Sequence, residues 1–200
     1  MLTAVERIVS GGETGAERAA LDWAIANGIP HGGWCARGRV AEDGVIPANY
    51  SLAESPWSSP LEVAECNVID SGATLFFSRQ AFSEETIKDT RVLTQKFDKP
   101  WMSAWWFQPL TYKCVAQFLR WNKPRVVYVT GARASEDPKI GEEVYRVLTQ
   151  AFRILDGGHP EELLGGTNVT RAMLAESHSL QQHGAWHLTA AKQVGAKIPG

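Results

Sequence analysis

The chain of 200 residues carries a formal net charge of −2 with a pI near 6.2, and 44% of its residues are hydrophobic, as in ordinary globular proteins. No Lys/Arg run indicates a nucleic-acid or membrane partner, and no segment of about 18 consecutive apolar residues predicts a transmembrane helix. The N-terminus shows no signal-peptide pattern, so we expect a cytoplasmic protein.

A glycine-rich turn, SGGETGAER at residues 10–18, follows the apolar pair Ile8–Val9 and precedes an amphipathic pattern that predicts a helix over 16–27. Glycines let backbone N–H groups approach an oxyanion, and the dipole of the following helix favours negative charge. The spacing matches neither the dinucleotide fingerprint nor a Walker loop. Two interpretations stay open for this turn alone: a phosphate or nucleotide cradle, and a plain connection from strand to helix.

Further along the chain, apolar strands alternate with helical patterns, which predicts an α/β fold with a parallel sheet covered by helices. The polar segment 36–59 is too long for a simple connector and predicts a functional loop. We expect a ligand-binding domain over 1–155 and a C-terminal extension over 156–200, helical or partly disordered. The predicted strands cover 29–35, 73–78, 101–106 and 125–130, and the predicted later helices cover 83–97, 110–121 and 140–155.

Loops leave the carboxyl ends of the first, third and fifth predicted strands, and ligands bind at that edge of a parallel sheet. Each loop brings one arginine, namely Arg18, Arg79 and Arg133. Guanidinium groups suit phosphate, carboxylate or oxometalate oxygens. A single such arginine is better explained as a solvated surface residue, but three at predicted ligand-facing positions together favour a site for a small anionic ligand.

Four segments, in this order, resemble the molybdenum carrier family, which belongs to the wider Rossmann-like superfamily of the LOG phosphoribohydrolases. They are SGGETGAERAALDWAI, IPHGGWCARGRVAEDGVIP followed by Tyr50, NVIDSGATLFFSR, and VTGARASEDPKIGEEV. The resemblance spans residues 6–155. It implies a Rossmann-like, mostly parallel sheet with helices on both faces, assembled as a homo-dimer or homo-tetramer. It also implies binding of molybdenum cofactor (molybdopterin), or a related phosphorylated pterin, with a molybdoenzyme as recipient.

The resemblance assigns binding residues but no catalytic or metal-binding residue, so we expect a carrier rather than an enzyme. We also expect Gly12→Asp to remove anion binding with little loss of folding. The predicted binding residues are Gly11, Gly12, Glu13, Thr14 and Gly15 in the first loop, Trp34, Arg37 and Gly38 in a wall, Arg79 after the third strand, and Gly131, Arg133 and Ser135 in the last loop.

One segment departs from the family pattern, because Glu84-Glu85-Thr86 stands where a G-G-T turn is expected. Carboxylates there take the space and the positive potential that a phosphate would use. The ligand is then held by the first and last loops, or is less anionic, or is no longer bound. A degenerate structural or sensor protein therefore stays open as a third function.

The second function is a LOG-like nucleoside 5′-monophosphate phosphoribohydrolase, or another nucleotide-binding protein. The chain lacks the PGGxGT turn of LOG enzymes, and a carboxylate such as Glu17 at a helix start is more often a dipole partner than a catalyst. Cys35, at the end of a predicted strand, is better interpreted as a small buried thiol than as a ligand of a soft metal. His183 and His187 share a helical spacing that Gly184 interrupts, so no metal site is predicted.

Overall fold

The structure, a computed structural model, describes residues 5–78, 84–105 and 111–157. In chain order its elements are β1 (Arg7–Val9), α1 (Ala16–Ala26), β2 (His31–Gly32), β3 (Trp34–Cys35), β4 (Val40–Ala41), β5 (Gly44–Val45), β6 (Ala53–Glu54), α2 (Pro60–Asp70), β7 (Ala73–Ser78), α3 (Glu84–Lys96), β8 (Trp101–Trp105), α4 (Thr111–Asn122), β9 (Val126–Gly131) and α5 (Ile140–Leu155).

The main sheet has five parallel strands in the order β2-β1-β9-β7-β8. β9, the last strand of the described residues, is therefore inserted between β1 and β7, so the segment that follows it lies beside the segment that follows β1. This arrangement confirms the predicted Rossmann-like α/β fold with a mostly parallel sheet.

Helices cover both faces of the sheet because strand side chains alternate between them. Ile8, Leu75 and Val127 pack into a core with α1, α4 and α5. On the opposite face, Val9 and Tyr128 belong to a cluster with Val68 of α2 and Leu93 of α3. Both central strands, β7 and β9, are thus buried between two layers, as their apolar sequences predict.

Helix α5 matches its predicted apolar stripe. Every member of that stripe is buried, and the helix packs against α1 and α4. The Trp23 ring of α1 lies 4.6 Å from the Phe152 ring between centroids, and its indole N–H donates to Thr149 Oγ1 at 3.0 Å. The stripe consists of Ile140, Val144, Val147, Leu148, Ala151 and Leu155.

The predicted strand over 29–35 is broken into β2 and β3, because Gly33 passes too close to the Ser10 backbone for a side chain. β3 leaves the main sheet and pairs with β6 instead. Helix α2, which begins at Pro60, was not predicted. Its buried Asn67 accepts a hydrogen bond from the Trp34 N–H and donates one to the Trp34 carbonyl, each at 2.9 Å, and so holds β3 in place.

The segment 36–59 is not an unstructured loop. It contains an antiparallel hairpin, in which Val40 pairs with Val45 and Ala41 with Gly44. We call residues 40–45 the acidic hairpin, since its turn is Glu42–Asp43. Arg79, His183, His187 and the predicted extension beyond 157 lie outside the described residues.

Candidate functional site

Two loops meet at the carboxyl edge of the sheet, between β1 and β9. The first loop covers residues 10–15 and leads into α1, while the last loop covers residues 132–139 and leads into α5. The Ala16 N–H donates to the Ala132 carbonyl at 3.0 Å, and the Ala134 N–H donates to Thr14 Oγ1 at 3.2 Å. The predicted convergence of these two loops is therefore observed.

This close approach requires glycine at position 15. Its φ is +78°, and a Cβ there would lie 2.5 Å from the Ala132 carbonyl oxygen and 2.6 Å from the Ala134 nitrogen. Both neighbours are backbone atoms, which cannot rotate away as a side chain can. Gly15 therefore lets the last loop lie directly against the start of α1.

A side chain at Gly12 would point into apolar surroundings. A Cβ there would lie 2.5 Å from Leu52 Cδ1 and 3.2 Å from Ile46 Cδ1. The expectation that Gly12→Asp spares folding is consequently wrong, since the new carboxylate would enter an apolar contact. Such a variant would confuse a loss of anion binding with a loss of the fold.

The Glu17 carboxylate joins the first loop to the end of β9 by hydrogen bonds. Its Oε2 accepts the Glu13 N–H at 3.0 Å, and its Oε1 accepts the Thr130 hydroxyl at 2.8 Å. A Cβ on Gly11 would lie 2.5 Å from Glu17 Oε2, so glycine leaves room for this carboxylate. Burial raises the pKa of Glu17, although the hydrogen bonds from Thr130 and Glu13 oppose that shift.

The side chain of Glu42 reaches from the acidic hairpin into the junction of the two loops. Its Oε1 accepts hydrogen bonds from the Thr14 hydroxyl and, at 3.1 Å, from the Ser135 N–H. Its Oε2 accepts the Ser135 hydroxyl at 2.5 Å. These bonds from Ser135 and Thr14 lower the pKa of Glu42. Donors from both predicted binding loops therefore converge on one anionic group.

Other carboxylates occupy neighbouring backbone donors. Glu13 Oε1 accepts the N–H groups of Thr14 and Glu42, each at 2.9 Å. Glu136 Oε2 accepts the Arg133 N–H at 3.0 Å, while the Arg133 side chain is 44% exposed and places its Nε 3.9 Å from Glu13 Oε2. The junction thus has the donors that suit anionic oxygens, with acidic side chains of the protein on them.

Arg18, predicted as an anion fork, is engaged by the protein itself. Its Nε donates to the Gly12 carbonyl at 3.0 Å, and its two terminal nitrogens donate to the Asp43 carboxylate at 3.0 and 3.1 Å. Its guanidinium lies 5.5 Å from the Tyr50 ring centroid. Burial and a 2.6 Å hydrogen bond to Asp22 raise the pKa of Tyr50 to about 12. Arg18 therefore anchors the acidic hairpin to the first loop.

In the described part of the chain, two residues of the predicted wall, Trp34 and Gly38, form hydrogen bonds with α2 and β6 and not with the first or last loop. The Trp34 indole N–H donates to Asp70 Oδ2 at 2.7 Å, and the Gly38 N–H donates to Glu54 Oε2 at 2.7 Å. The Arg37 side chain is exposed. No hydrogen bond among the described residues joins these three to the first or last loop. Glu84 and Glu85 are the first residues of α3.

A cleft of about 630 Å³ adjoins the junction, between the first turns of α1 and those of α5. This volume falls within the usual range of small-molecule sites. Gly15 of the first loop and Arg18 of α1 line one side of the cleft, while Pro138, Glu142 and Tyr145 line the opposite side.

Sequence reasoning singled out neither Glu42 nor Asp43 as a site residue. Their signal was the Glu42-Asp43-Gly44 turn within the long polar segment, but the contact of Glu42 with Ser135 spans 93 residues.

Cys35 is fully buried, and burial raises the pKa of its thiol, as expected for an inert cysteine.

In residues 5–78, 84–105 and 111–157, no group of three or more His, Cys, Asp or Glu side chains is arranged to hold a metal ion. None of the helices in those ranges has the length and apolar character needed to cross a membrane.

Comparison with known proteins identifies one family and one structure. Residues 8–152 match the family described as the circularly permutated YpsA SLOG family. The chain is also similar to a crystal structure from Syntrophus aciditrophicus named "Putative molybdenum carrier protein", with 32% identity and a TM-score of 0.69. That match covers 74% of this chain and 96% of the other. No curated protein matches the sequence.

Proposed function

The chain belongs to the circularly permutated YpsA SLOG family, a molybdenum carrier, LOG-related family, and from this premise we propose that it binds molybdenum cofactor or a related phosphorylated pterin as cargo. The site is the junction of the first and last loops, at the carboxyl ends of β1 and β9. The phosphate of the ligand would occupy the junction, and its ring system would extend into the adjoining cleft.

The observation that carries this proposal is the convergence of donors from the two loops. The Thr14 hydroxyl, the Ser135 hydroxyl and the Ser135 N–H all donate to a single carboxylate. Because the same donors suit phosphate oxygens at the start of a helix, this junction can take an anionic ligand. The name of the Syntrophus aciditrophicus protein supports molybdenum cofactor as the class of cargo.

Binding without catalysis fits the described carboxylates better than LOG-like hydrolysis. Glu17 is a half-buried carboxylate at the junction, and both of its oxygens accept hydrogen bonds from the scaffold, from the Glu13 N–H and the Thr130 hydroxyl. A carboxylate that stabilises an oxocarbenium-like state needs an oxygen facing the substrate. Glu17 instead fixes the conformation of the first loop.

The proposal is tested on protein purified from molybdate-sufficient cells. Native mass spectrometry, elemental molybdenum and the fluorescence of oxidised pterin are measured on one sample of the wild type. The double variant T14V/S135A removes both hydroxyl donors, and S58A, at an exposed serine outside the loops, is the matched control.

We expect pterin and molybdenum in the wild type and in S58A, and at least about a tenfold loss of both in T14V/S135A, because lost hydrogen bonds to a charged group cost about 1.5–3 kcal/mol each. Wild-type protein without pterin or molybdenum would contradict the carrier function. Release of base from nucleoside 5′-monophosphates by such protein would favour the LOG-like alternative.

A further inference from the structure

The acidic hairpin differs from the other acidic groups at the junction because it comes from a distant part of the chain. Within their own loops, Glu13 and Glu136 accept N–H groups one and three residues away, at Thr14 and Arg133, and Glu13 also accepts the N–H of Glu42 from the hairpin. Glu42 instead reaches donors 28 and 93 residues away, at Thr14 and Ser135. Only movement of the hairpin as a unit is needed to clear its carboxylate from the junction.

We propose that Glu42 is an internal latch, whose carboxylate holds the place of the ligand's anionic group and leaves the junction when that group binds. This inference rests on the proposed function, since it concerns access to the same site. The acidic hairpin is then a lid, closed over the two loops when the site is empty of ligand and displaced by a phosphate-bearing ligand.

The tip of the acidic hairpin, Glu42–Asp43, is held by polar contacts at a partly exposed surface. Besides the hydrogen bonds that the Glu42 carboxylate accepts, the Glu42 N–H donates to Glu13 Oε1 at 2.9 Å. The Asp43 carboxylate pairs with the Arg18 guanidinium at 3.0 Å. Asp43 is half-exposed, and the strand residues Val40 and Val45 are 60% and 74% exposed. Contacts of this kind exchange readily with water and with a competing anion.

The base of the hairpin, in contrast, is firmly fixed. Arg39 donates to the carbonyls of Ile46, Pro47, Tyr50 and Leu52 at 2.9 to 3.1 Å. Ala41 and Ile46 are buried in a cluster with Leu21 and Cys35. A polar tip on a fixed base is the arrangement of a lid that opens about its base without unfolding the domain.

Displacement of the latch also frees Arg18. Its two bonds to Asp43 come from the same hairpin turn, so they break when the tip moves. The guanidinium remains placed at the first loop by its Nε bond to the Gly12 carbonyl. Arg18 is then available to pair with the anionic group that replaces Glu42. The three donors that the Glu42 carboxylate leaves, the Thr14 hydroxyl and the Ser135 N–H and hydroxyl, are thus joined by a cation.

The latch is tested with inorganic phosphate as the probe, by isothermal titration calorimetry on the full chain. The variant E42A removes the latch carboxylate. E65A is the matched control, because Glu65 pairs with Lys96 on the α2–α3 side and its removal changes the net charge equally. Hydrogen exchange of the backbone amides at position 42 and at Ser135 reports the position of the hairpin in the wild type and in both variants.

We expect E42A to bind phosphate at least about tenfold more tightly than the wild type, because phosphate need not first break the hydrogen bonds that the Glu42 carboxylate accepts. E65A should bind phosphate as the wild type does. Saturating phosphate should accelerate exchange of the Glu42 amide in the wild type. Equal phosphate affinity of E42A and the wild type, or unchanged exchange at Glu42 with phosphate bound, would overturn the latch.

The two proposals fail separately. Tight phosphate binding by E42A in a protein that never carries pterin would retain the latch and remove the carrier function. Pterin and molybdenum on the wild type, with E42A binding phosphate no more tightly, would retain the carrier function and remove the latch.

Discussion

At the scale of single residues, Gly131 lies where β9 passes closest to β7. Its φ is +153°, and a Cβ there would collide with the Phe77 backbone. The sequence indicated this glycine only as a member of an anion-binding loop. Its structural requirement comes from a strand 54 positions earlier, which no local pattern shows.

We predict that Gly131→Ala lowers the free energy of unfolding by roughly 3 kcal/mol, because backbone strain and a backbone clash add. Gly28→Ala is the matched control, with φ +66° but open space around the Cβ, and should cost only about 1 kcal/mol. Urea unfolding followed by tryptophan fluorescence measures both. Equal losses in the two variants would show that the Phe77 contact is unimportant.

Glu17 gives a second prediction at this scale, on pH. Burial raises its pKa in the folded chain above the usual value of 4.5, so the folded state binds more protons between the two values. Stability contributed at this position is therefore highest below pH 4.5 and decreases as the pH rises through the folded pKa.

In Glu17→Gln, which keeps an oxygen for the Glu13 N–H, we expect this pH dependence to disappear. The stability of Gln relative to Glu should rise with pH by about 1.4 kcal/mol for each unit between the unfolded and folded pKa values. Urea unfolding from pH 4 to pH 8 measures the difference. A wild-type-minus-variant difference that is flat with pH would contradict a raised pKa.

At the scale of elements, α2 illustrates what sequence patterns leave out. Its Pro60 start is a recognised helix signal, but its position after a long polar segment concealed it. Its role depends on Asn67, whose amide holds the Trp34 backbone and, at 3.1 Å, also donates to the Val63 carbonyl. This side chain bonds the Trp34 backbone of β3, which pairs with β6 and not with the main sheet.

We predict that Asn67→Ala destabilises the chain by about 2–4 kcal/mol, because the Trp34 N–H and carbonyl lose buried partners. Asn122→Ala, which removes one side-chain bond to the Phe118 carbonyl at the end of α4, should cost about 1 kcal/mol or less. Thermal unfolding compares the two. Hydrogen exchange at Trp34 should rise in the first variant alone.

At the scale of the whole molecule, residues 5–157 contain three apolar clusters, which include residues of the central strands β7 and β9 and of the helices on both faces of the sheet. The sheet and its two helical layers are built from the same part of the chain. These residues contain the elements needed to bury both faces of the central strands.

We therefore predict that a chain ending at Gly157 unfolds cooperatively, with a urea midpoint close to that of the full chain, since no described cluster is lost. Circular dichroism and fluorescence should give coincident transitions. A molten or aggregated product would show that residues 158–200 contribute to the fold. Light scattering on both lengths would test the homo-dimer or homo-tetramer, which stays a prediction.

The sequence by itself determined the fold class, the glycine turn before α1, the buried strands β7 and β9, and the stripe of α5, because these depend on short-range periodicity and on turn chemistry. The tertiary structure decided which loops meet. β9 pairs with β1 through residues that are 119 positions apart in the sequence. The hydrogen bond that the Ser10 hydroxyl donates to the Val129 carbonyl spans the same separation. It also decided that Glu42 lies on Thr14 and Ser135, since a hairpin's contact across the sheet edge leaves no periodic trace in the sequence.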